Sequence, residues 1–350
     1  LGGDIQFELR YEDDVNDPEK AVNAYNTLKD WGMQISLGSV TSKPGESTSV
    51  ENNADRIFAL TPSASSAANI EGKDNVFQMC FMDPNQGSAS AQYISEKKLG
   101  TKIAVIWKND DVYSKGIHEN FLEKAEELGL EIVSDTTFAD GNDTDFSVQL
   151  ADAQNKGADL VFLPMYYQPA SLILAQAKNM NYAPAWFGVD GMDGILTMEG
   201  FDASLAEGVM LLTPFNADAE DEKTQAFVKT YQEKFGEVPN QFAADAYDCV
   251  YAYYQALTNA KAALSNAYLD GVLSVFFLVM MGVFVVVGIV VVARTFAAGK
   301  YGAETTSEEP FVESQWFAPS SLVATALEKK VQREYSAKLH ELVRNGQVAA

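Results

Sequence analysis

The chain has 350 residues, a hydrophobic fraction of 47% and a formal net charge of -24. This length allows about two packed domains, and the acidity argues against nucleic acid as a partner, because phosphates would repel such a surface. The charge is unevenly distributed: residues 1–260 carry 17 basic and 41 acidic side chains, whereas residues 261–350 carry eight of each. Two pieces of different character therefore make up the chain.

The first part of the chain alternates between strand and helix patterns. Residues 5–11 (IQFELRY) alternate as a strand does, and Asp17-Pro18 opens an amphipathic helix. Further strands are predicted at 33–40, 56–60 and 75–82, and a Ser/Thr/Gly loop follows the first of these.

A second series repeats the alternation. Strands are predicted at 102–107, 131–138, 160–164, 185–189 and 208–213, and helices at 91–99, 115–128, 145–156, 169–180, 221–235 and 241–259. This alternation is typical of parallel sheets with helices on both faces. We therefore predict an α/β fold of two doubly wound parallel-sheet lobes, with lobe 1 at 1–83 plus 214–262 and lobe 2 at 84–213.

Residues 271–293 (GVLSVFFLVMMGVFVVVGIVVVA) contain no charged side chain. As a helix they would be roughly 34 Å long, enough to cross a bilayer core of about 30 Å. We predict one transmembrane helix here; a buried core helix is disfavoured because the run is apolar all round. Arg294 and Lys300 after the span, against Lys261 before it, favour the C-terminus inside and the acidic domain outside.

The last part of the chain, residues 303–350, is predicted to be a polar linker and an amphipathic helical tail. The helix candidate at 324–343 has a charged face. Two interpretations stay open for it: a solvated helix, or a helix that binds a partner or a membrane surface.

Polar loops follow several predicted strands, at the edge where parallel α/β sheets bind ligands. Two hydroxyl-rich loops, 38–44 (GSVTSKP) and 61–66 (TPSASS), could receive a carboxylate, although such residues also cap helices routinely. In the second series Tyr113, Tyr166 and Asp190 follow strands. Asp190 could cap a turn or neutralise an ammonium group. Together, the two sets would hold a zwitterion.

The sequence offers little for catalysis, a metal or a cofactor. It contains no P-loop, nucleophile elbow or dinucleotide-binding glycine motif. His118 is expected at a helix surface, and Cys80 and Cys249 are expected to be buried free thiols. No Cys or His pair has ligand spacing. We therefore expect a protein that is not an enzyme and has no cofactor and no metal site.

Residues 1–260 resemble the type I periplasmic binding proteins, specifically the leucine/isoleucine/valine-binding branch of ABC-transporter solute-binding proteins. The motifs that carry the resemblance are YEDDVNDPEKAVNAYNTL at 11–28, GSVTSKP at 38–44, LTPSASS at 60–66, the D-x-x-Q-G turn at 83–87, NDDVYSKG at 109–116, ADLVFLPMYYQP at 158–169 and WFGVDGMDG at 186–194. The resemblance implies two α/β lobes joined by three crossovers, with an amino acid or a similar small solute such as an amide in the cleft. It also implies an extracytoplasmic location and ABC permease subunits as partners.

The resemblance also implies ligand-binding positions in the first lobe. Ser42 would donate to the ligand carboxylate. Ser63 and Ser65, on either side of Ala64, would hold the carboxylate and the ammonium group between them with help from the backbone.

In the second lobe, the resemblance implies that Tyr113 and Tyr166 close over the ligand. Asp190 stands where the family has an acidic partner for the ammonium group, often Glu. Phe242 and Tyr247 are further candidates for the pocket wall.

The chain departs from the family pattern in three ways. Asn16 and Thr41 stand where some relatives have a disulfide. The family's first strand and first helix have no counterpart, so we expect lobe 1 to be incomplete. The predicted span at 271–293 also replaces the segment that returns through the hinge. Two alternatives to a transporter receptor are therefore a membrane-anchored ligand-sensing receptor domain and a truncated or chimeric chain without complete activity.

Overall fold

The computed structural model describes residues 5–280, with side chains described for residues 5–262. The α-helices are α1 (Pro18–Trp31), α2 (Ser42–Asp55), α3 (Asp83–Lys97), α4 (Val112–Leu128), α5 (Ser147–Asn155), α6 (Tyr167–Asn179), α7 (Glu222–Phe235) and α8 (Gln241–Met280). The strands are β1 (Ile35–Ser36), β2 (Phe58–Thr61), β3 (Val76–Gln78), β4 (Lys102–Lys108), β5 (Glu131–Phe138), β6 (Leu160–Leu163), β7 (Ala185–Gly188) and β8 (Met210–Leu211).

The chain divides into two compact units. The unit Leu9–Cys249 holds every strand named above. The described part of the other unit consists of residues 5–8 and of α8 from Val250 to Met280.

Two parallel sheets form the framework of the larger unit. One has the order β1-β2-β3, and the other has the order β5-β4-β6-β7-β8, with every pairing parallel. In the five-stranded sheet the chain runs from β4 to β5 on one side and then to β6 on the other. The carboxyl ends of β4 and β6 therefore flank a topological switch point, where open α/β sheets bind ligands.

The five-stranded sheet is covered on both faces. Alternate side chains of β4 point to opposite sides: Ala104 and Ile106 pack in a core with α5 and α6, whereas Ile103 and Val105 pack in a core with α3 and α4. The sequence-based prediction of a doubly wound α/β sheet is therefore confirmed for this sheet.

Helix α3 connects the two sheets and packs unusually close to α4. A Cβ atom at Gly87 would lie 2.3 Å from the Ile117 carbonyl oxygen and 2.7 Å from the Phe121 nitrogen. Only glycine fits this approach. The glycine of the D-x-x-Q-G turn thus fixes the start of α3, with Asp83 and Gln86, against α4.

Most predicted elements after residue 83 lie close to the observed ones. The strand at 131–138 has the bounds of β5, and the helix at 115–128 ends with α4 at Leu128, where Gly129 adopts the left-handed conformation. Helix α3 begins at Asp83, eight residues before the predicted start, because Pro84 occupies its first turn as prolines commonly do. The exact lobe boundaries stay a prediction.

Three local predictions are wrong. Residues 5–11 form no strand; among the described residues none pairs with them in a ladder, and an alternating pattern alone does not form a strand without one. Residues 42–55 form helix α2, although 42–44 belong to the loop predicted at 38–44. This helix lacks an apolar stripe and packs through small polar side chains such as Thr48, Ser49 and Asn52. His118 is 6% exposed rather than superficial, since it stacks on Trp107 with ring centroids 3.9 Å apart.

The predicted membrane span is described only as far as Met280. Its remainder, 281–293, and the predicted linker and tail at 303–350 lie outside the described residues. Within the described part of the chain, no helix combines the length and apolar character needed to cross a bilayer.

Candidate functional site

The predicted ligand-binding residues lie just beyond the carboxyl ends of strands in both sheets. Ser42 begins α2 after β1, and the 61–66 loop follows β2. Tyr113 lies in the first turn of α4 after β4, and Tyr166 precedes α6 after β6. The latter two strands flank the switch point.

On the side of the three-stranded sheet, Ser42 is bound to the 61–66 loop. Its fully buried hydroxyl oxygen accepts hydrogen bonds from the backbone N–H groups of Ser65 and Ser66, both at 3.1 Å. The N–H of Ala64 donates to the Thr61 hydroxyl at 3.0 Å. Three consecutive N–H groups that could have received an anion are therefore engaged by hydroxyl groups of the chain itself.

The Ser65 hydroxyl lies beside Asp83 and partly offsets the increase that burial causes in the pKa of that acid. The Ser65 side chain is fully buried, and its hydroxyl makes no hydrogen bond of standard geometry with the described residues. Ser63 is 6% exposed and Ala64 is fully buried. The first-lobe positions thus lie in one buried loop, and Ser42 and Ser65 are in direct contact.

On the side of the five-stranded sheet, Tyr113 and Tyr166 stack with ring centroids 4.6 Å apart and planes 14° apart. The Tyr113 hydroxyl donates to a carboxylate oxygen of Asp190 at 2.5 Å and accepts from the Gly191 N–H at 2.8 Å. Burial, followed by the negative charge of Asp190, raises the pKa of Tyr113 well above its usual range. The phenol therefore stays protonated and remains a donor.

Gly191 is required for this contact. A Cβ atom there would lie 2.6 Å from the Tyr113 hydroxyl oxygen and 2.9 Å from Cδ1 of Tyr166. Any larger residue would push the tyrosine pair away from Asp190.

Asp190 follows β7 at the start of a short 3₁₀ turn and is 1% exposed. Its second carboxylate oxygen and its carbonyl each accept from the Gln241 side-chain amide at 3.2 Å, and its N–H donates to the Gln86 side chain at 3.4 Å. Burial raises the pKa of Asp190, and the hydrogen bonds from Tyr113, Gln241 and Gln86 partly offset that increase. The carboxylate is thus held in one orientation.

Further contacts join residues that come after strands of the three-stranded sheet to residues that come after strands of the five-stranded sheet. The backbone N–H of Ser42 faces the Tyr166 hydroxyl and partly offsets the increase that burial causes in the pKa of Tyr166. Gln86 lies on α3, which leads from the three-stranded sheet into the five-stranded one, and it holds the Asp190 backbone.

Several buried polar groups at the site were not singled out from the sequence. Gln86 and Gln241 contact Asp190, and two further acids, Asp83 and Asp245, are 1% and 8% exposed. Burial raises the pKa of both acids well above the usual range, and Asp190 adds to the increase in each. Asp83 was noticed only as part of a turn, and Asp245 stands within an ordinary helical pattern.

The remaining candidates are spread more widely. Tyr247 is 39% exposed and its ring lies 4.8 Å from that of Phe227; Phe242 is partly buried. Cys80 and Cys249 are buried free thiols, as predicted. In the part of the chain that the structure describes, no group of three or more His, Cys, Asp or Glu residues is arranged to hold a metal ion.

Comparison with known proteins shows the family. The family model for "Periplasmic binding protein" matches residues 1–273. The chain is 28% identical over 263 residues to the Leu/Ile/Val-binding protein homolog 1 of Brucella abortus, covering 73% of this chain and 67% of that protein. It is 25% identical over 260 residues to a leucine-, isoleucine-, valine-, threonine- and alanine-binding protein of Pseudomonas aeruginosa, covering 74% and 68%.

Solved structures give the same result. The leucine binding protein LivK of Thermotoga maritima matches with a TM-score of 0.65 and 25% identity, covering 71% of each chain. The branched-chain amino acid transporter substrate binding protein LivJ of Streptococcus pneumoniae, solved with isoleucine, matches with a TM-score of 0.64 and 29% identity, covering 69% of each chain. These relatives are solute-binding proteins and not enzymes. The chain belongs to the periplasmic binding protein family and is similar to its leucine/isoleucine/valine-binding members.

Proposed function

We propose that this chain is the extracytoplasmic solute-binding protein of an ABC transporter and that it binds an amino acid between its two sheets. The observation that carries the proposal is the buried Asp190 carboxylate, oriented by Tyr113 and Gln241 at the ends of parallel strands. A carboxylate fixed in this way is a receptor for an ammonium group. The binding functions named for the relatives support the same solute class.

Each predicted residue takes a distinct part in this proposal. Asp190 binds the α-ammonium group, and the Ser42 and Ser65 hydroxyls donate to the carboxylate. Tyr113 and Tyr166 cover the solute from the other side, where their stacked rings exclude water. Ser63 and Ala64 shape the loop that carries Ser65.

We further propose that binding involves hinge closure. Three contacts join residues that come after strands of different sheets. They are the Ser42–Tyr166 contact, the Gln86–Asp190 hydrogen bond and an ion pair between Lys43 and Asp140 at 3.6 Å. A solute that contacts both sets stabilises the closed arrangement relative to an open one, which shifts the population toward closure.

ABC permease subunits are the proposed partners, and residues 271–293 the proposed membrane anchor. Co-purification of the full chain from its own membranes would test this. A permease pair would support transport, whereas a signalling partner would favour a ligand sensor anchored by the same segment.

The direct test of the amino-acid proposal is calorimetric titration of the purified full chain with the L- and D-forms of an amino-acid panel. We expect saturable, one-to-one binding of an L-amino acid and a much weaker response to its D-form, because contacts with the ammonium group, the carboxylate and the side of the solute that the tyrosines cover together fix the chiral centre. Absence of binding by every amino acid would contradict the proposal.

A further inference from the structure

Two buried acceptor atoms lie on one face of α8 beside the proposed ammonium receptor. Gln241 and Asp245 are four residues apart, so their side chains occupy successive turns of the same face. Gln241 is fully buried; its amide nitrogen is bound to Asp190, but its amide oxygen has no donor among the described residues. Asp245 is 8% exposed, and one of its carboxylate oxygens also lacks a donor there.

Among the described residues, the surroundings of these atoms contain several acidic side chains and no buried lysine or arginine. The carboxylate of Asp245 interacts electrostatically first with Asp190 and then with Asp248 and Asp193. Among the side chains that the structure describes, several aspartates are buried, whereas no lysine or arginine is. Isolated buried carboxylates are costly, so such a cluster must take up protons or bind a cation.

The opposite side of the site has few free donors for an anion. The N–H groups of residues 64–66 are already bound to hydroxyls of the chain, as described above. Asp83 is buried close to Ser65, and neither of its carboxylate oxygens makes a hydrogen bond of standard geometry with the described residues. The site therefore has more buried acceptor atoms than one zwitterionic α-amino acid would use.

We propose that the solute carries a second cationic nitrogen, as in a basic amino acid, and that Asp245 and the Gln241 amide oxygen bind it while Asp190 binds the α-ammonium group. This proposal rests on the proposed function and narrows its solute class. The acceptor set is suited to an ammonium or guanidinium group, whose hydrogens are all donors. A purely aliphatic side chain would leave both acceptors unpaired.

The test is calorimetric titration of the purified full chain with lysine, norleucine and cadaverine. Norleucine is lysine without the terminal ammonium group, and cadaverine is lysine without the carboxylate. We expect lysine to bind at least tenfold more tightly than norleucine. Asp245→Asn should lower lysine affinity at least tenfold and leave norleucine affinity unchanged.

Asp202→Asn is the control. It makes the same substitution at an exposed acid outside this cluster, and it should preserve the preference for lysine. Circular dichroism of each variant checks folding. The comparison of lysine with norleucine in the unmodified chain needs no variant and decides the proposal even where a variant does not fold.

The outcomes separate this inference from the proposed function. If norleucine binds as tightly as lysine, the second-cation proposal is wrong and amino-acid binding stands. A preference for lysine that survives Asp245→Asn overturns the role of Asp245. If cadaverine binds as tightly as lysine and Asp245→Asn lowers the affinity for both, the second-cation proposal stands and the amino-acid proposal is wrong. If lysine, norleucine and cadaverine all fail to bind, both proposals are contradicted.

Discussion

The Tyr113 hydroxyl lies 2.5 Å from a carboxylate oxygen of Asp190, and these residues follow different strands of the five-stranded sheet, β4 and β7. The same hydroxyl accepts from the Gly191 N–H, so its proton is directed at the carboxylate. One phenol thus fixes the orientation of the proposed ammonium receptor.

Removing that hydroxyl should weaken ligand binding. Hydrogen bonds to charged groups contribute about 1.5–3 kcal/mol, so Tyr113→Phe should lower amino-acid affinity by about 10- to 100-fold. Calorimetric titration measures this. The control is Tyr182→Phe, which removes a hydroxyl that donates to the Ala158 carbonyl at 2.9 Å. Equal affinity losses in both variants would contradict the role of Tyr113.

Gly191 should be intolerant of a methyl group. Gly191→Ala places a Cβ atom at 2.6 Å from the Tyr113 hydroxyl oxygen, and overpacking of this kind costs about 1–3 kcal/mol. Urea unfolding should show the loss. In a Tyr113→Phe background, Gly191→Ala should lower the free energy of unfolding by less, because the hydroxyl oxygen nearest to the added Cβ atom is absent. Strictly additive effects in this double-mutant cycle would show that the two groups do not meet.

The ion pair between Lys43 and Asp140 should have a small effect on affinity that depends on salt. Both side chains are exposed by more than a third, so Lys43→Met should weaken ligand binding by no more than about fivefold, and less at high ionic strength. The control is Lys178→Met, which removes a pair with Asp202 of the same 3.6 Å length within the second series. If Lys178→Met lowers ligand affinity more than Lys43→Met does, the proposed role of Lys43 in hinge closure is contradicted.

Stability of the ligand-free chain should fall as pH rises through the weakly acidic range. Burial raises the pKa of Asp248 from 3.8 to about 6. The folded state therefore binds the proton more tightly than the unfolded state. This contribution to the free energy of unfolding is fully present below about pH 4 and is lost as pH rises through about 6. Asp83, Asp190 and Asp245 act in the same direction.

Urea unfolding across this pH range, with and without Asp248→Asn, tests that prediction. The variant should lose less stability than the unmodified chain between about pH 4 and about pH 7. Asp202→Asn is the control, because the pKa of exposed Asp202 is lowered by its hydrogen bonds with Ser204 and it titrates outside this window. Identical slopes in the unmodified chain and Asp248→Asn would contradict the assignment.

The sequence predicted the second series of elements well, because its central strands β4, β6 and β7 are buried on both faces. Strand β4 contains the continuous apolar run IAVIW at 103–107, and α4 has an N-cap at Asp111 and a left-handed glycine at its end. Such local signals do not depend on the rest of the fold. By contrast, α2 packs through polar residues, and residues 5–11 have the pattern of a strand but pair with no strand in the described part of the chain.

The site was only partly predictable for a related reason. Tyr113, Tyr166 and Asp190 each follow an apolar strand, and their position at strand ends marks them in the sequence. Gln241 and Asp245 lie in a helical pattern, and nothing local distinguishes them from solvated residues. Their contacts with the site come from the packing of α8, which only the tertiary structure reveals.

The most direct test of the central claim is thermal unfolding of the detergent-solubilised full chain against a panel of amino acids, diamines and amides. Asp190→Ala and the exposed control Asp202→Ala would be measured beside it. We predict that one amino acid raises the unfolding temperature of the unmodified chain and of Asp202→Ala but not of Asp190→Ala, since loss of one partner of a buried charge pair costs about 3–5 kcal/mol. An equal increase in all three, or none with any solute, would contradict the account.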